Sequence, residues 1–251
     1  MIKKRYAIKI EDESAEIGTA AELVVALDVL QGHYDRRVLE QLRPNLTNII
    51  TKPQDLYAIL RVLQLEDRIY LIEALSSNLV DIVATAGHLR DILATLSEFQ
   101  VEEVLLKTLG SNGLQTLIRS AEELSEILEW IYGSCDQLVL QLLDIDYLKQ
   151  LIQNGYELSL VLHSLNHERQ EELIEMLVWE NVVQLLKDRR DLAHLLRALP
   201  VKLSKKLLKQ FTKEELWKII RNEYGWRDLY KYLEPEEAEY LEKLLGVKHA
   251  K

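Results

Sequence analysis

The sequence predicts an all-α fold: an α-solenoid, right- or left-handed, of about seven short helical repeats with a cap at each end. Three observations lead there. First, apolar residues recur with a period of about 34. Leu46, Ile49, Ile50, Leu56, Ile59, Leu60, Leu63, Leu71, Ile72 and Leu75 are followed, in the same order, by Leu114, Leu117, Ile118, Leu124, Ile127, Leu128, Ile131, Val139, Leu140 and Leu143. Second, the spacing within each repeat is i, i+3, i+4, i+7, as in Leu56, Ile59, Leu60 and Leu63, which is the stripe of an amphipathic helix. Third, all four prolines fall in gaps between stripes. Inside a helix each would cost about 3 kcal/mol. A fixed period of this length marks stacked repeats, which generally serve as binding surfaces.

The repeats can be counted from Leu56. Its equivalents are Leu23, Leu89, Leu124, Leu158, Leu192 and Trp226, at steps of 33, 33, 35, 34, 34 and 34 from the first to the last. The stripes and prolines divide a full repeat into helix A (near 46–51), helix B (54–63) and helix C (67–76). The alternative is fusion of C with the following A, which Pro44 and the Gly110–Gly113 segment oppose at their own junctions. That glycine segment reads as a loop that absorbs the one-residue wobble. Thr212-x-x-Glu215 is a capping box, and Asp146 and Ser111/Asn112 are placed to cap helices. Residues 1–12 read as a leader, disordered or a single short strand on the alternation Tyr6, Ile8, Ile10, with the disordered form preferred. Residues 13–251 read as one solenoid domain. In its first repeat Glu13 and Glu16 stand where Leu46 and Ile49 stand in the second; in its last, Glu242 replaces Ile72. Polar ends are what a stack of repeats needs where it meets water.

Composition narrows the class. With 251 residues, 48% of them hydrophobic, the chain can bury a large core. Charges interrupt every apolar run, so no transmembrane segment is expected, and the N-terminus lacks the apolar stretch of a signal peptide. The single cysteine, Cys135, implies a reducing compartment, hence a cytoplasmic protein. Net charge is −10 and uneven: residues 187–251 hold 16 Lys/Arg against 11 Asp/Glu, while 1–186 hold 15 against 30. Ser120 to Leu148 contains no base, and Arg197 to Lys213 contains no acid. Such asymmetry points to a charged partner, most simply another protein.

No motif for catalysis or cofactor binding is present. There is no dinucleotide or P-loop glycine pattern and no G-x-S-x-G. His163 and His167 are four apart, but Leu165-Asn166 sits at a B–C junction, so no metal site is expected. Asp144-Ile145-Asp146 falls at a C–A junction, where Asp is a natural N-cap. The expectation is a protein without enzymatic activity, cofactor or metal.

A partner surface is expected on the helix B columns that the core does not dictate. The column of Arg61 runs Asp28, Arg61, Ala94, Glu129, His163, Arg197, Lys231. The column of Tyr57 runs Val24, Tyr57, Arg90, Ser125, Ser159, Ala193, Arg227. A third runs Val29, Val62, Thr95, Trp130, Ser164, Ala198, Tyr232. Aromatic and arginine side chains are the usual anchors of interfaces. The candidate residues are Tyr57, Arg61, Arg90, Glu129, Trp130, His163, Arg197 and Arg227, joined by the basic stretch Lys202, Lys205, Lys206 and Lys209.

In length the unit resembles tetratricopeptide repeats, although the W-x2-L-G-x2-Y and Ala/Phe/Pro positions are not met; TPR-like or HEAT-like describes it. The tail Glu234-Pro235-Glu236-Glu237-Ala238-Glu239-Tyr240-Leu241-Glu242 resembles the glutamate-rich C-terminal signal of type IV-secreted bacterial effectors. That resemblance implies an effector or effector regulator delivered to a host cytosol. The same residues suit the N-terminal end of a capping helix. The functional expectation is an adaptor, scaffold or inhibitor that binds another protein. The alternative is nucleic-acid or anionic-lipid binding through the basic segment 197–218.

Overall fold

A computed structural model describes residues 4–11, 13–30, 34–96, 98–131 and 133–247. These are predominantly helical. The all-α expectation is corrected at the N-terminus, where β1 (Tyr6–Ile10) and β2 (Glu13–Ile17) form an antiparallel hairpin, Tyr6 opposite Ile17. Alternation in β1 buries Ile8 and Ile10, while Ile17 of β2 is also buried. The outer edge of β1 is closed by a side chain: Lys9 N–H donates to Gln41 Oε1 at 2.8 Å and Gln41 Nε2 donates to Lys9 O at 2.9 Å. An edge satisfied in this way is not available to another strand. The expected leader–domain break at residue 12 therefore falls inside the hairpin, and Glu16 lies in a strand rather than in a first helix A. Residues 1–3, 12, 31–33, 97, 132 and 248–251 of the expected leader and domain lie outside the described residues.

The helices follow the repeat. The first repeat supplies α1 (Ala20–Leu30) and α2 (Asp35–Leu42). After a 3-10 turn at Arg43–Asn45, the second gives α3 (Leu46–Ile49), α4 (Pro53–Val62) and α5 (Leu65–Ala74). The third gives α6 (Leu79–Val83), α7 (Ala86–Leu96) and the first part of α8 (Phe99–Leu117). The fourth takes the rest of α8, then α9 (Ala121–Leu128) and α10 (Cys135–Leu143). The fifth holds α11 (Ile145–Leu151), α12 (Gly155–His163) and α13 (His167–Leu177). The sixth holds α14 (Trp179–Gln184), α15 (Arg189–Ala198) and α16 (Val201–Leu208). The last holds α17 (Lys213–Ile220), α18 (Glu223–Tyr230) and α19 (Pro235–Leu245). Pro53 and Pro235 occupy first turns, where the missing N–H costs nothing.

Turn chemistry repeats with the same period. Thr19 and Thr85 each accept an N–H three residues on, as do Ser120, Asn154, Asp188 and Asn222 at the starts of α9, α12, α15 and α18. An acid in the following turn reaches back: Glu22, Asp55, Glu123, Glu157 and Asp191 accept from the backbone N–H of Gly18, Thr51, Arg119, Gln153 and Lys187. The A–B corners before α1, α9, α12 and α15 are thus locked from both sides. The B–C corner has its own lock. Gln170 donates to Leu162 O and Leu165 O, and Ser204 faces the equivalent Leu196 O and Leu199 O. In the second repeat Arg68 donates to Leu63 O instead. These donors cover carbonyls that the helix B terminus leaves open.

Two C–A junctions differ from expectation. The Gly110–Gly113 loop shrinks to one residue, Gly110, whose φ of 62° breaks α8. Asp144 rather than Asp146 caps α11, accepting from Tyr147 N–H at 2.9 Å, while Asp146 lies in the first turn. Gly110, Asp144 and Val178, each 34 apart, all have positive φ. Thr212 and Glu215 form the expected capping box.

The chain divides into two compact units, Met1–Ile118 with Trp130–Leu142, and Arg119–Glu129 with Leu143–Lys251. In the first, α1 packs on α4 and α4 on α7, while α2 packs on α5 and α5 on α8. In the second, α9 packs on α12, α12 on α15 and α15 on α18, with α16 against α19. In both units like helices of consecutive repeats lie side by side. Their anchors Leu23, Leu56, Leu89, Leu124, Leu158 and Leu192 are all fully buried. No described helix is long and apolar enough to cross a membrane.

Candidate functional site

Where one B helix meets the next, the seam is either sealed or open, and the residue at a few repeat positions decides which. The α12–α15 seam is sealed. A Cβ at Gly155 would come within 2.7 Å of Asp191 O, so the backbones approach as closely as glycine allows. Tyr156 and His194 meet edge to face at 5.1 Å. The α9–α12 seam is also closed, by Ser125 Oγ donating to Leu160 O at 3.1 Å and lying 2.8 Å from Ser164 Oγ.

Two seams are open. In the first unit, a cavity of about 370 Å³ between α4 and α7 is lined by Pro53, Gln54, Tyr57, His88, Asp91, Ile92, Ala94 and Thr95. In the second unit, a cavity of about 270 Å³ between α15 and α18 is lined by Arg189, Arg190, Ala193, His194, Arg197, Asp228, Leu229 and Tyr232. Counted from the anchors, these are the same groove. Pro53, Gln54 and Tyr57 correspond to Arg189, Arg190 and Ala193; Asp91, Ile92 and Thr95 correspond to Asp228, Leu229 and Tyr232.

An arginine at the same repeat position lies against a tyrosine of each groove. Arg61 lies with its guanidinium carbon 5.6 Å from the Tyr57 ring centroid, and Arg197 lies 5.6 Å from that of Tyr232. Both are exposed, and neither makes an ion pair among the described residues. A guanidinium resting on a ring keeps its donors free for a ligand. On the opposite wall of the second groove, Asp228 accepts from Arg189 Nε at 3.2 Å. That bond, with help from Lys231, holds its carboxyl below the ordinary range.

Of the residues the sequence singled out, Tyr57 and Arg197 line these grooves, and Arg61 lies against Tyr57 without lining the first. Arg90 is half-buried and pairs with its neighbour Asp91 at 3.0 Å. Glu129 follows the last turn of α9, and Trp130 is 47% exposed. His163 ends α12, with Nδ1 2.6 Å from Ser159 O, and lies on a different helix from His167. Arg227 is exposed on α18 and does not line the groove. The basic stretch is largely neutralised within the molecule. Lys206 and Lys202 reach Glu171 of the preceding C helix at 2.7 and 3.3 Å, and Lys205 pairs with Glu236 of the next. Only Lys209 of the four lysines is without an ion pair among the described residues. Glu171 is held below the usual carboxylate range by Lys206 and Lys202, and Glu236 by Lys205.

Sequence reasoning missed Arg189, Arg190, His194 and Asp228, and passed over Tyr232, which stood in one of its own columns. The signal was available: Arg197 and Tyr232 are 35 apart, one repeat step, so they face each other across adjacent B helices. In the tail, Glu234 and Glu237 form a capping box on α19. Glu237 is buried against α16, which pushes its carboxyl upward. No group of three or more metal-ligating side chains occurs among the described residues. Cys135 is buried, and burial together with the charge of Glu102 pushes its thiol up to about 12. No family model, curated protein or solved structure matches the chain.

Proposed function

We propose that the chain is a TPR-like or HEAT-like α-solenoid that binds another protein, without catalysis, as an adaptor, scaffold or inhibitor. The observation that carries this reading is the recurrence of one open groove in repeats two and six, each with an exposed arginine laid on a tyrosine. Core packing does not require an open seam, as the sealed seams at Gly155 and Ser125 demonstrate. Rigid aromatic and arginine anchors on packed helices suit recognition of a protein segment. The lysine stretch 202–209 supports the nucleic-acid or lipid alternative less well, because three of its four charges already face carboxylates. A secreted-effector version would use α19 as its signal; the capping and ion-pair roles of Glu234, Glu236 and Glu237 account for those residues without one.

The test is affinity purification from native lysate with quantitative mass spectrometry. A stoichiometric protein partner should be recovered with the wild type and reduced at least tenfold by Arg61→Glu or Arg197→Glu. Recovery of no partner, or of one indifferent to both changes, counts against the reading.

A further inference from the structure

We infer that the α15–α18 groove takes an extended acidic peptide, holding two of its carboxylates on Arg190 and Arg197. This deepens the protein-binding reading and rests on it. The cations in this region sort into two kinds. Arg189 and Lys231 are engaged by Asp228, Lys202 and Lys206 by Glu171, and Lys205 by Glu236. Arg190 and Arg197 are exposed, line the groove and make no ion pair among the described residues. Unneutralised guanidiniums beside a cavity offer two-pronged hydrogen bonding to carboxylates.

Their spacing sets the register. Seven residues apart on α15, they share one face and lie about 10.5 Å apart along the axis, at about 1.5 Å per residue. An extended chain in the polyproline II form turns once every three residues at about 3.1 Å each, so residues three apart share one edge and span about 9.3 Å, close to that distance. A cavity of about 270 Å³ takes the side chains of a few residues of such a chain. Ala193 and Leu229 give an apolar floor, and the Tyr232 ring gives a flat wall for the intervening residues. Asp228, kept charged by Arg189, faces the same space. It repels a continuous phosphate backbone but tolerates a peptide whose acids lie along one edge. Acidic peptide therefore fits better than nucleic acid.

Fluorescence anisotropy with the full chain tests this. The probe is a labelled ten-residue peptide with two glutamates three positions apart in an alanine–serine background. Controls replace both glutamates by glutamine, set them adjacent, or use a single-stranded oligothymidine. The spaced-glutamate peptide should bind at low salt, weaken as salt rises, and lose roughly tenfold in affinity on Arg190→Gln or Arg197→Gln, as for one lost charge-assisted bond. The double variant Arg190→Glu/Arg197→Glu should bind instead a peptide with two lysines at the same spacing, which an unfolded variant could not do. Equal binding of the glutamine or adjacent-glutamate peptide overturns the inference. So does displacement of the peptide by oligothymidine, or no peptide binding at low salt. Failure here, alongside an intact Arg197-dependent complex in the affinity purification, removes the acidic-peptide assignment and leaves the protein-binding reading standing.

Discussion

Arg61 and Arg197 occupy the same position in the second and sixth repeats, five residues past the anchor leucine of a B helix, and each guanidinium lies 5.6 Å from the centroid of a tyrosine ring. The tyrosines come from different places: Tyr57 is one turn earlier on the same helix, whereas Tyr232 follows the next B helix. One arrangement is reached by two routes. Replacing either tyrosine by leucine should lower partner affinity several-fold while leaving the melting temperature within a few degrees. Titration calorimetry beside a thermal melt separates the two effects.

Seam closure makes its own prediction. Gly155→Ala forces a methyl to within 2.7 Å of Asp191 O and 2.7 Å of Leu186 Cδ2. Backbone cannot move aside as a flexible side chain can, so overpacking of about 1–3 kcal/mol is expected in urea denaturation. Glu175→Ala, an exposed change on α13, should stay within about 0.5 kcal/mol.

Val178 bears a strained backbone. Its φ of 66° is disfavoured for a β-branched residue, and Gly110 fills the equivalent place two repeats earlier. The Val178 side chain is 49% exposed, so little packing is lost with it. Val178→Gly should stabilise the protein by about 1 kcal/mol, net of the extra freedom glycine gives the unfolded chain. Val178→Ala should not reproduce that gain.

The B–C lock predicts a pH-dependent variant. Gln170 donates to two carbonyls, and a charged glutamate there cannot donate at all. In Gln170→Glu the folded carboxyl should titrate above its unfolded value, because only its protonated form bonds to Leu162 O and Leu165 O. The sign follows: the variant is near wild-type stability below about pH 4 and loses about 1–3 kcal/mol as pH rises through the folded value. Denaturation at pH 4 and pH 7 distinguishes this from a uniform loss.

Glu171 behaves oppositely. Lys206 and Lys202 hold it below its ordinary value of 4.5. Its contribution is therefore present above that value and disappears as pH falls through the lowered one. Carbon-detected NMR titration should show the shift, and Lys202→Ala/Lys206→Ala should return it toward 4.5. Cys135, with its thiol near 12, should resist alkylation at pH 8 in the folded protein and react once unfolded.

The repeat was legible because leucine columns and proline positions obey short-range helix rules. Helices B start at 20, 53, 86, 121, 155, 189 and 223, reproducing the steps of the anchor residues. The hairpin was not legible, since Glu13–Ile17 shows no clean alternation and the outer edge of β1 is closed by Gln41, far along the chain. The basic patch was overread for a similar reason. Lys202 and Glu171 are 31 apart and Lys206 and Glu171 are 35 apart, close to one repeat step, so they meet across consecutive C helices. Applied to charge as well as to leucine, the same period would have paired them. Whether a seam opens depends on one or two residues, such as Ser125 with Ser164, and hydrophobic periodicity carries no trace of that.

Site-specific photocrosslinking reports directly on whether a protein docks in the α15–α18 groove. A benzoylphenylalanine is placed at Tyr232, in the α15–α18 groove, and separately at Gln210, exposed after α16. If a protein docks in the groove, the partner crosslinks from position 232 and not from 210, and Arg197→Glu abolishes the product. Crosslinking from 210 alone, or only to nucleic acid or lipid, would show that no protein docks in the groove.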